Sequence, residues 1–247
     1  MIAIIGGSGL THLSNLDVTR REVVRTPYGE PSGALKFGHL GEEQTVFIAR
    51  HGYGHTIPPH EVNYRANIWA LKHVGAKAII SVASVGGFQD HLCPGTLLVP
   101  NQIIDYTWGR KSTFFDGTDS TVVHVDFTDP YDPALRQCIL EAAAKAGEPI
   151  VDGGTYAATQ GPRLETRAEV DRYERDGAHV AGMTGMPEAV LARELELPYA
   201  AILVVANFAA GRGNSRHGIP LEQIEPTLQE AMGRVRNILQ RFSASGL

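Results

Sequence analysis

Ser8, Arg50, His51 and Thr184 are the residues whose types and settings most clearly suit chemistry. Each follows a short apolar run. Ile2-Ala3-Ile4-Ile5 leads into Gly6-Gly7-Ser8-Gly9, Val46-Phe47-Ile48-Ala49 into Arg50-His51-Gly52, and Val180-Ala181-Gly182 into Met183-Thr184. Glycines allow a turn with φ > 0 and let backbone N–H groups approach an anion closely. Two hydroxyls add side-chain donors, and a guanidinium adds a planar, charged fork. Together they describe an oxyanion pocket, and so many donors suit a small phosphate better than a carboxylate.

Plainer readings stand beside this one. The glycines could simply close a strand, Arg50 could belong to a surface ion pair, and His51 could be a core histidine. Other chemistries fit less well. A dinucleotide fingerprint needs G-x-G-x-x-G, but Gly7-Ser8-Gly9 is followed by Leu10-Thr11-His12. His51, His55 and His60 lie in a Gly/Pro-rich loop with no carboxylate or thiol at metal spacing, so no metal is expected. No G-x-S-x-G elbow surrounds Ser8, which is expected to donate rather than attack.

The elements that must position these residues alternate in type. Apolar runs at 2–5, 46–49, 78–85, 102–106, 155–159, 180–182 and 200–206 read as strands. Helical spacing marks 64–72, 133–147, 167–177, 187–195 and 221–242, with Gly75 and Gly147 as stops and Pro187 in a first turn. Neither a repeat nor a linker interrupts the chain, so a single α/β domain over residues 1–247 is expected. Polar residues recur just past strand ends, at Ser8, Arg50, His51, Ser84, Gln160, Thr184 and Asn207, where ligands of α/β sheets gather.

Composition sets the remaining bounds. With 247 residues, 43% hydrophobic and 20% charged, the chain can build a substantial core. A net charge of −5 without a basic block argues against a nucleic-acid partner. Cys93 and Cys138 make neither a disulfide framework nor a metal set. Residues 1–10 lack the pattern of a signal peptide, and no apolar run is long enough to span a bilayer. A cytoplasmic location without membrane attachment is therefore expected.

Five stretches, in this order, carry a resemblance: Gly6-Gly7-Ser8-Gly9-Leu10, Arg50-His51-Gly52, Val62-Asn63-Tyr64-Arg65-Ala66-Asn67-Ile68-Trp69-Ala70-Leu71, Gln160-Gly161-Pro162-Arg163-Leu164-Glu165-Thr166 and Gly182-Met183-Thr184-Gly185-Met186-Pro187-Glu188. The chain resembles the trimeric purine nucleoside phosphorylases, within their methylthioadenosine/methylthioinosine phosphorylase branch, over nearly its whole length. The resemblance implies a mixed central sheet, partly closed into a barrel and flanked by helices, in a homotrimer. It implies phosphorolysis, in which inorganic phosphate as co-substrate displaces a purine from a ribosyl C1′, with no cofactor. By motif, Ser8, Arg50, His51, Ala83, Ser84 and Thr184 would bind phosphate, although Ala83 stands where the family often has threonine. Met183, Leu164, Asn207, Phe208 and Ala209 would bind the nucleoside. Asn207 and His51 would be catalytic, and His124 would reach the sugar pocket of a neighbouring subunit.

Glu165 and Asn207 bear on which purine is taken. A 6-oxopurine carries a proton on N1, which a carboxylate accepts, and acceptors at O6 and N7, to which an amide donates. A 6-aminopurine would set a lone pair against Glu165, a mismatch that discriminates strongly. The competing reading of Glu165 is an ion pair with Arg163 or Arg167. The resemblance places Leu221 near the 5′ substituent, where an apolar residue suits a methylthio group. The expected substrate is S-methyl-5′-thioinosine. The alternatives are a general inosine/guanosine phosphorylase, a methylthioadenosine phosphorylase, and a purine-nucleoside-binding protein without turnover.

Overall fold

The computed structural model describes residues 1–117 and 121–244. Its strands are β1 (Ile2–Gly6), β2 (Asp17–Glu22), β3 (Leu35–Leu40), β4 (Glu43–Ala49), β5 (Ile79–Gly87), β6 (Leu97–Val99), β7 (Gln102–Asp105), β8 (Val151–Asp152), β9 (Thr155–Ala158), β10 (Val180–Gly182) and β11 (Tyr199–Phe208). Its helices are α1 (Tyr64–His73), α2 (Pro133–Ala146), α3 (Arg167–Arg175), α4 (Gly185–Glu194) and α5 (Leu221–Arg241). The strands form one mixed sheet in the order β2-β3-β4-β1-β5-β10-β9-β7, with β11, β6 and β8 branching from β5. The pairings among the described residues do not close this sheet on itself.

Local sequence explains most boundaries. Asn63 and Asp132 cap α1 and α2 through their side chains, and Gly147 ends α2 in the left-handed conformation at φ 69°. Thr166 and Glu169 form a reciprocal capping box at the start of α3. The sequence places no element between Leu10 and Val46, yet β2 and β3 pair there and extend the sheet through β4. β2 reads Asp-Val-Thr-Arg-Arg-Glu, and five of its six residues are exposed. Its charges are those of an edge strand that discourages further pairing, and such a strand carries no apolar period to detect.

Two apolar layers sandwich the sheet. Alternate residues of β5 enter opposite layers: Ile79, Ala83 and Val85 one, Ile80 and Val82 the other. Burial on both faces is why this strand is an unbroken apolar run. Ile68 and Leu71 of α1 and Ala189 and Leu191 of α4 cover the first layer. Leu135 and Ile139 of α2 and Leu228, Met232 and Val235 of α5 cover the second.

Candidate functional site

β5 positions the site because its neighbours change halfway along it. On one edge β11 accompanies β5 from Ile79 to Gly87. The other edge is shared: parallel β1 pairs with Ile79–Val82, and antiparallel β10 pairs with Gly86 and Gly87. β1 and β10 therefore run toward each other, and their last residues, Gly6 and Gly182, face the stretch Ala83-Ser84-Val85. Strands that separate in this way open a crevice at their carboxyl ends. A cavity of about 580 Å³ lies there. Its walls include Gly7 and Ser8 after β1, Arg50 and His51 after β4, Ala83 and Ser84 within β5, and Met183 and Thr184 after β10. It also takes in Leu164, Glu165 and Asn207.

Gly7 is required by this convergence rather than by its own dihedral angles. A Cβ there would lie 2.7 Å from both Arg50 Nη1 and the Val82 carbonyl. The left-handed turn expected of the cluster falls on Gly9, at φ 80°. Thr184 precedes α4 without a side-chain hydrogen bond to the helix. Its N–H donates to the Tyr156 hydroxyl at 3.2 Å.

Arg50 is fully buried, which rules out a surface ion pair. Its Nε and Nη2 donate to the two oxygens of Glu188 at 2.6 and 2.8 Å. Nη2 also donates to Ser81 Oγ at 2.6 Å, and Nη1 to the Val82 carbonyl at 3.1 Å. The hydroxyls of Ser81 and Tyr199 complete the Glu188 shell at 2.7 and 2.8 Å. Burial opposes the arginine's charge, but the Glu188 carboxylate outweighs it and the guanidinium pKa is raised. Four of its five N–H groups are thus engaged within the protein, and one at Nη1 is left for a ligand. Arg50 is therefore an anchored charge beside the cavity rather than a free bidentate fork.

His51 also differs from an oxyanion donor. Its Nδ1 lies 2.8 Å from the Ile57 carbonyl, which can only accept, so Nδ1 carries the proton. Burial, reinforced by the Arg50 charge, lowers its pKa from 6.5 to about 4. The neutral ring therefore presents an Nε2 lone pair, which accepts from a protonated ligand oxygen and does not donate. An unfolded chain protonates this histidine below about 6.5, whereas the folded chain holds it neutral to about 4. Its stabilising contribution is present above that window and is expected to diminish as pH falls through it. His51→Gln should remove this part of the pH dependence in urea titrations at about pH 7 and about pH 5. Equal pH dependence in both proteins would refute the assignment.

On the opposite wall, Glu165 accepts from Thr159 Oγ1 at 2.7 Å. Arg163 instead pairs bidentately with Glu169, at 2.8 and 2.7 Å, so the ion pair considered for Glu165 is not formed with it. Asn207 follows a register shift between Val205 and Asn207 in the β11–β5 ladder, an irregularity of the kind that re-aims a side chain. Its Nδ2 donates to the Phe208 carbonyl at 2.7 Å, which fixes the amide and leaves its second N–H for a ligand.

Several expected residues stand elsewhere. Leu221 is 63% exposed and is not in the cavity wall. Ile224 and Leu228, one and two turns further along α5, take that place, because only every third or fourth residue of the helix faces inward. Ala209 is buried, and its N–H donates to the Gly87 carbonyl. Phe208 packs beneath Gly213. Neither lines the cavity. His124 is exposed and outside it too. Glu188, Ser81, Tyr199 and Thr159 were not singled out in the sequence. The one available signal was Glu188 itself, a carboxylate within an otherwise apolar helical stretch.

Comparison with known proteins identifies the family of the chain. The family model described as Phosphorylase superfamily matches residues 1–244. A protein of Pseudomonas syringae pv. tomato named "Probable S-methyl-5'-thioinosine phosphorylase" is 50% identical over 244 residues, covering 98% of each chain. The "6-oxopurine nucleoside phosphorylase" of Pyrococcus furiosus is 47% identical over 87% of this chain and 82% of its own. Among solved structures, methylthioadenosine phosphorylase from Schistosoma mansoni in complex with adenine superposes with a TM-score of 0.93 at 34% identity, covering 97% of this chain and 89% of that one.

Proposed function

We propose that this chain, which belongs to the Phosphorylase superfamily, cleaves S-methyl-5′-thioinosine by phosphorolysis to hypoxanthine and 5-methylthioribose 1-phosphate. The observation that carries the choice of base is Glu165. It is half-buried on the cavity wall and held by the Thr159 hydroxyl, and the neutral amide of Asn207 lines the same cavity. That pair matches N1–H and N7 or O6 of a 6-oxopurine and mismatches a 6-aminopurine. Ile224 and Leu228 make one stretch of the wall apolar, which suits a 5′-methylthio group.

In this reading inorganic phosphate occupies the end of the cavity formed by Ser8, Arg50, Ser84 and Thr184. A phosphate oxygen attacks C1′ as the C1′–N9 bond breaks, and the electron pair leaves with the purine. Positive charge on the sugar is stabilised by the phosphate beneath it. Overall, the proton of HPO₄²⁻ ends on hypoxanthine, and no covalent enzyme intermediate is required. Holding the reactants together supplies much of the acceleration. Ala83 brings no hydroxyl, so Ser84 is the side-chain donor that β5 offers. Met183 meets the ribose. We also place His124 in the sugar pocket of a neighbouring copy, within a cytoplasmic homotrimer.

Steady-state assays test the reading. Hypoxanthine release is expected to require phosphate; equal release without it would make the protein a hydrolase. Methylthioinosine should exceed inosine in kcat/KM by about 10- to 200-fold if the apolar wall meets the 5′ group, and should exceed methylthioadenosine by about 10⁴-fold through Glu165. Equal rates with inosine would favour the second reading, a general 6-oxopurine phosphorylase. His55 also lines the cavity and could serve a 5′-hydroxyl.

A further inference from the structure

Arg110 lies in the polar stretch after β7, is half-buried, and is absent from the cavity wall. Nevertheless its guanidinium touches the backbone of two segments that form that wall. Nη2 donates to the carbonyls of Thr159 and Gln160 at 3.3 and 2.8 Å. Nη1 donates to the carbonyls of Met183 and Met186 at 2.8 and 2.6 Å. Nη1 also reaches the Tyr64 hydroxyl at 3.3 Å, and that hydroxyl donates to the carbonyl of Pro59, a wall residue of a third segment. Among the described residues no carboxylate pairs with Arg110, and its buried Nε has no partner.

We propose that Arg110 is a positioning residue, which holds the Glu165 loop, the Met183–Thr184 turn and the Pro59 loop in mutual register from behind the site. The role rests on the phosphorolysis reading only for its effect on rate. The β9–β10 ladder, with Ala158 beside Gly182 and the Thr159 N–H donating to the Gly182 carbonyl at 2.7 Å, joins the first two segments where they leave the sheet. Arg110 extends that tie past the strand ends, to Gln160 on one side and to Met183 and Met186 on the other. A planar fork can address two loops at once; a lysine ammonium is a point charge on a flexible stem and cannot. The loop carrying Thr159 also carries Glu165, and the turn carrying Met183 leads into Thr184. Beyond the last ladder pair, Arg110 thus holds the loop of the base-reading carboxylate against the turn of the sugar- and anion-facing groups. Displacements of about 1 Å in such a constellation cost about 100-fold in rate.

Arg110→Ala and Arg110→Lys test this, the second standing in should the first fail to fold. Each is measured by kcat and KM for methylthioinosine, and by hydrogen exchange of peptides covering 159–165 and 183–186. A loss of about 100-fold in kcat/KM is expected for Arg110→Ala, mostly in kcat. Exchange should rise in both peptides and stay unchanged in β1 and α5. Millimolar guanidinium chloride should restore about tenfold of the Arg110→Ala loss by refilling the fork site. A merely structural role predicts the opposite, because guanidinium would destabilise a weakened fold further. The proposal is overturned by activity within threefold of wild type, by unchanged exchange at 159–165 and 183–186, or by a loss that guanidinium deepens while exchange rises throughout. Should the wild-type protein turn over no purine nucleoside, the reaction assigned above fails, and the exchange comparison still decides the role of Arg110.

Discussion

Asn207→Ala is expected to lower kcat for methylthioinosine by about 10²- to 10³-fold while KM stays within a few-fold. The reason lies in when the contact strengthens. As the C1′–N9 bond lengthens, negative charge accumulates on the purine, and a donor at N7 gains strength only then. Pre-aiming makes such a donor effective. The Asn207 amide is fixed by its 2.7 Å bond to the Phe208 carbonyl, on a strand whose register shifts just before it. Steady-state kinetics with saturating phosphate check the prediction, and a pure KM effect would remove Asn207 from the chemistry. Asn207→Asp is an informative companion. It replaces the donor to Phe208 with a carboxylate, setting two acceptors face to face, so it should lose activity although the side chain is nearly isosteric.

Glu188→Ala is expected to destabilise the fold by about 3–5 kcal/mol, because it leaves the Arg50 charge buried and unpaired. Arg50 is wholly buried and Glu188 is 1% exposed, so water cannot replace the lost carboxylate. Ser81 and Tyr199 would lose their common acceptor in the same step. Removing both charges with Arg50→Met and Glu188→Leu should recover much of the stability, since a well-packed apolar pair avoids the desolvation cost. It should not recover phosphorolysis, because the anchored charge beside the cavity is gone. Denaturant unfolding of the single and double variants, alongside their turnover, separates the two roles. A Glu188→Ala loss below about 1 kcal/mol would show that Arg50 does not depend on this partner.

Much of this was legible in the sequence. The strand-end pattern marked Ser8, Arg50, His51, Ser84, Gln160, Thr184 and Asn207, and all but Gln160 line one cavity. Such residues are readable because a buried strand and the turn that ends it are adjacent in the chain. The helices were readable from their period and caps. β2 escaped because an exposed edge strand needs no apolar face. Residues near a helix start cannot be assigned inward or outward until the helix is docked: Leu221 lies outside the cavity wall, and Ile224 and Leu228 line it. Arg110 carried no local signal, since all its acceptors are backbone groups of other segments or a distant tyrosine.

By itself the sequence determined an α/β chain with donor-rich turns at its strand ends, and its family resemblance. All of these rest on residue type and short-range order. Only the tertiary structure decided how the donors are used. Glu188, 138 positions from Arg50, turns that guanidinium into an anchored charge. The Ile57 carbonyl makes His51 an acceptor. The division of one edge of β5 between β1 and β10 brings Gly6-Gly7-Ser8 opposite Met183-Thr184. Hydrogen-bond direction and burial depend on which distant groups meet, and the packing of the sheet and helices, rather than the order of residues, sets those meetings.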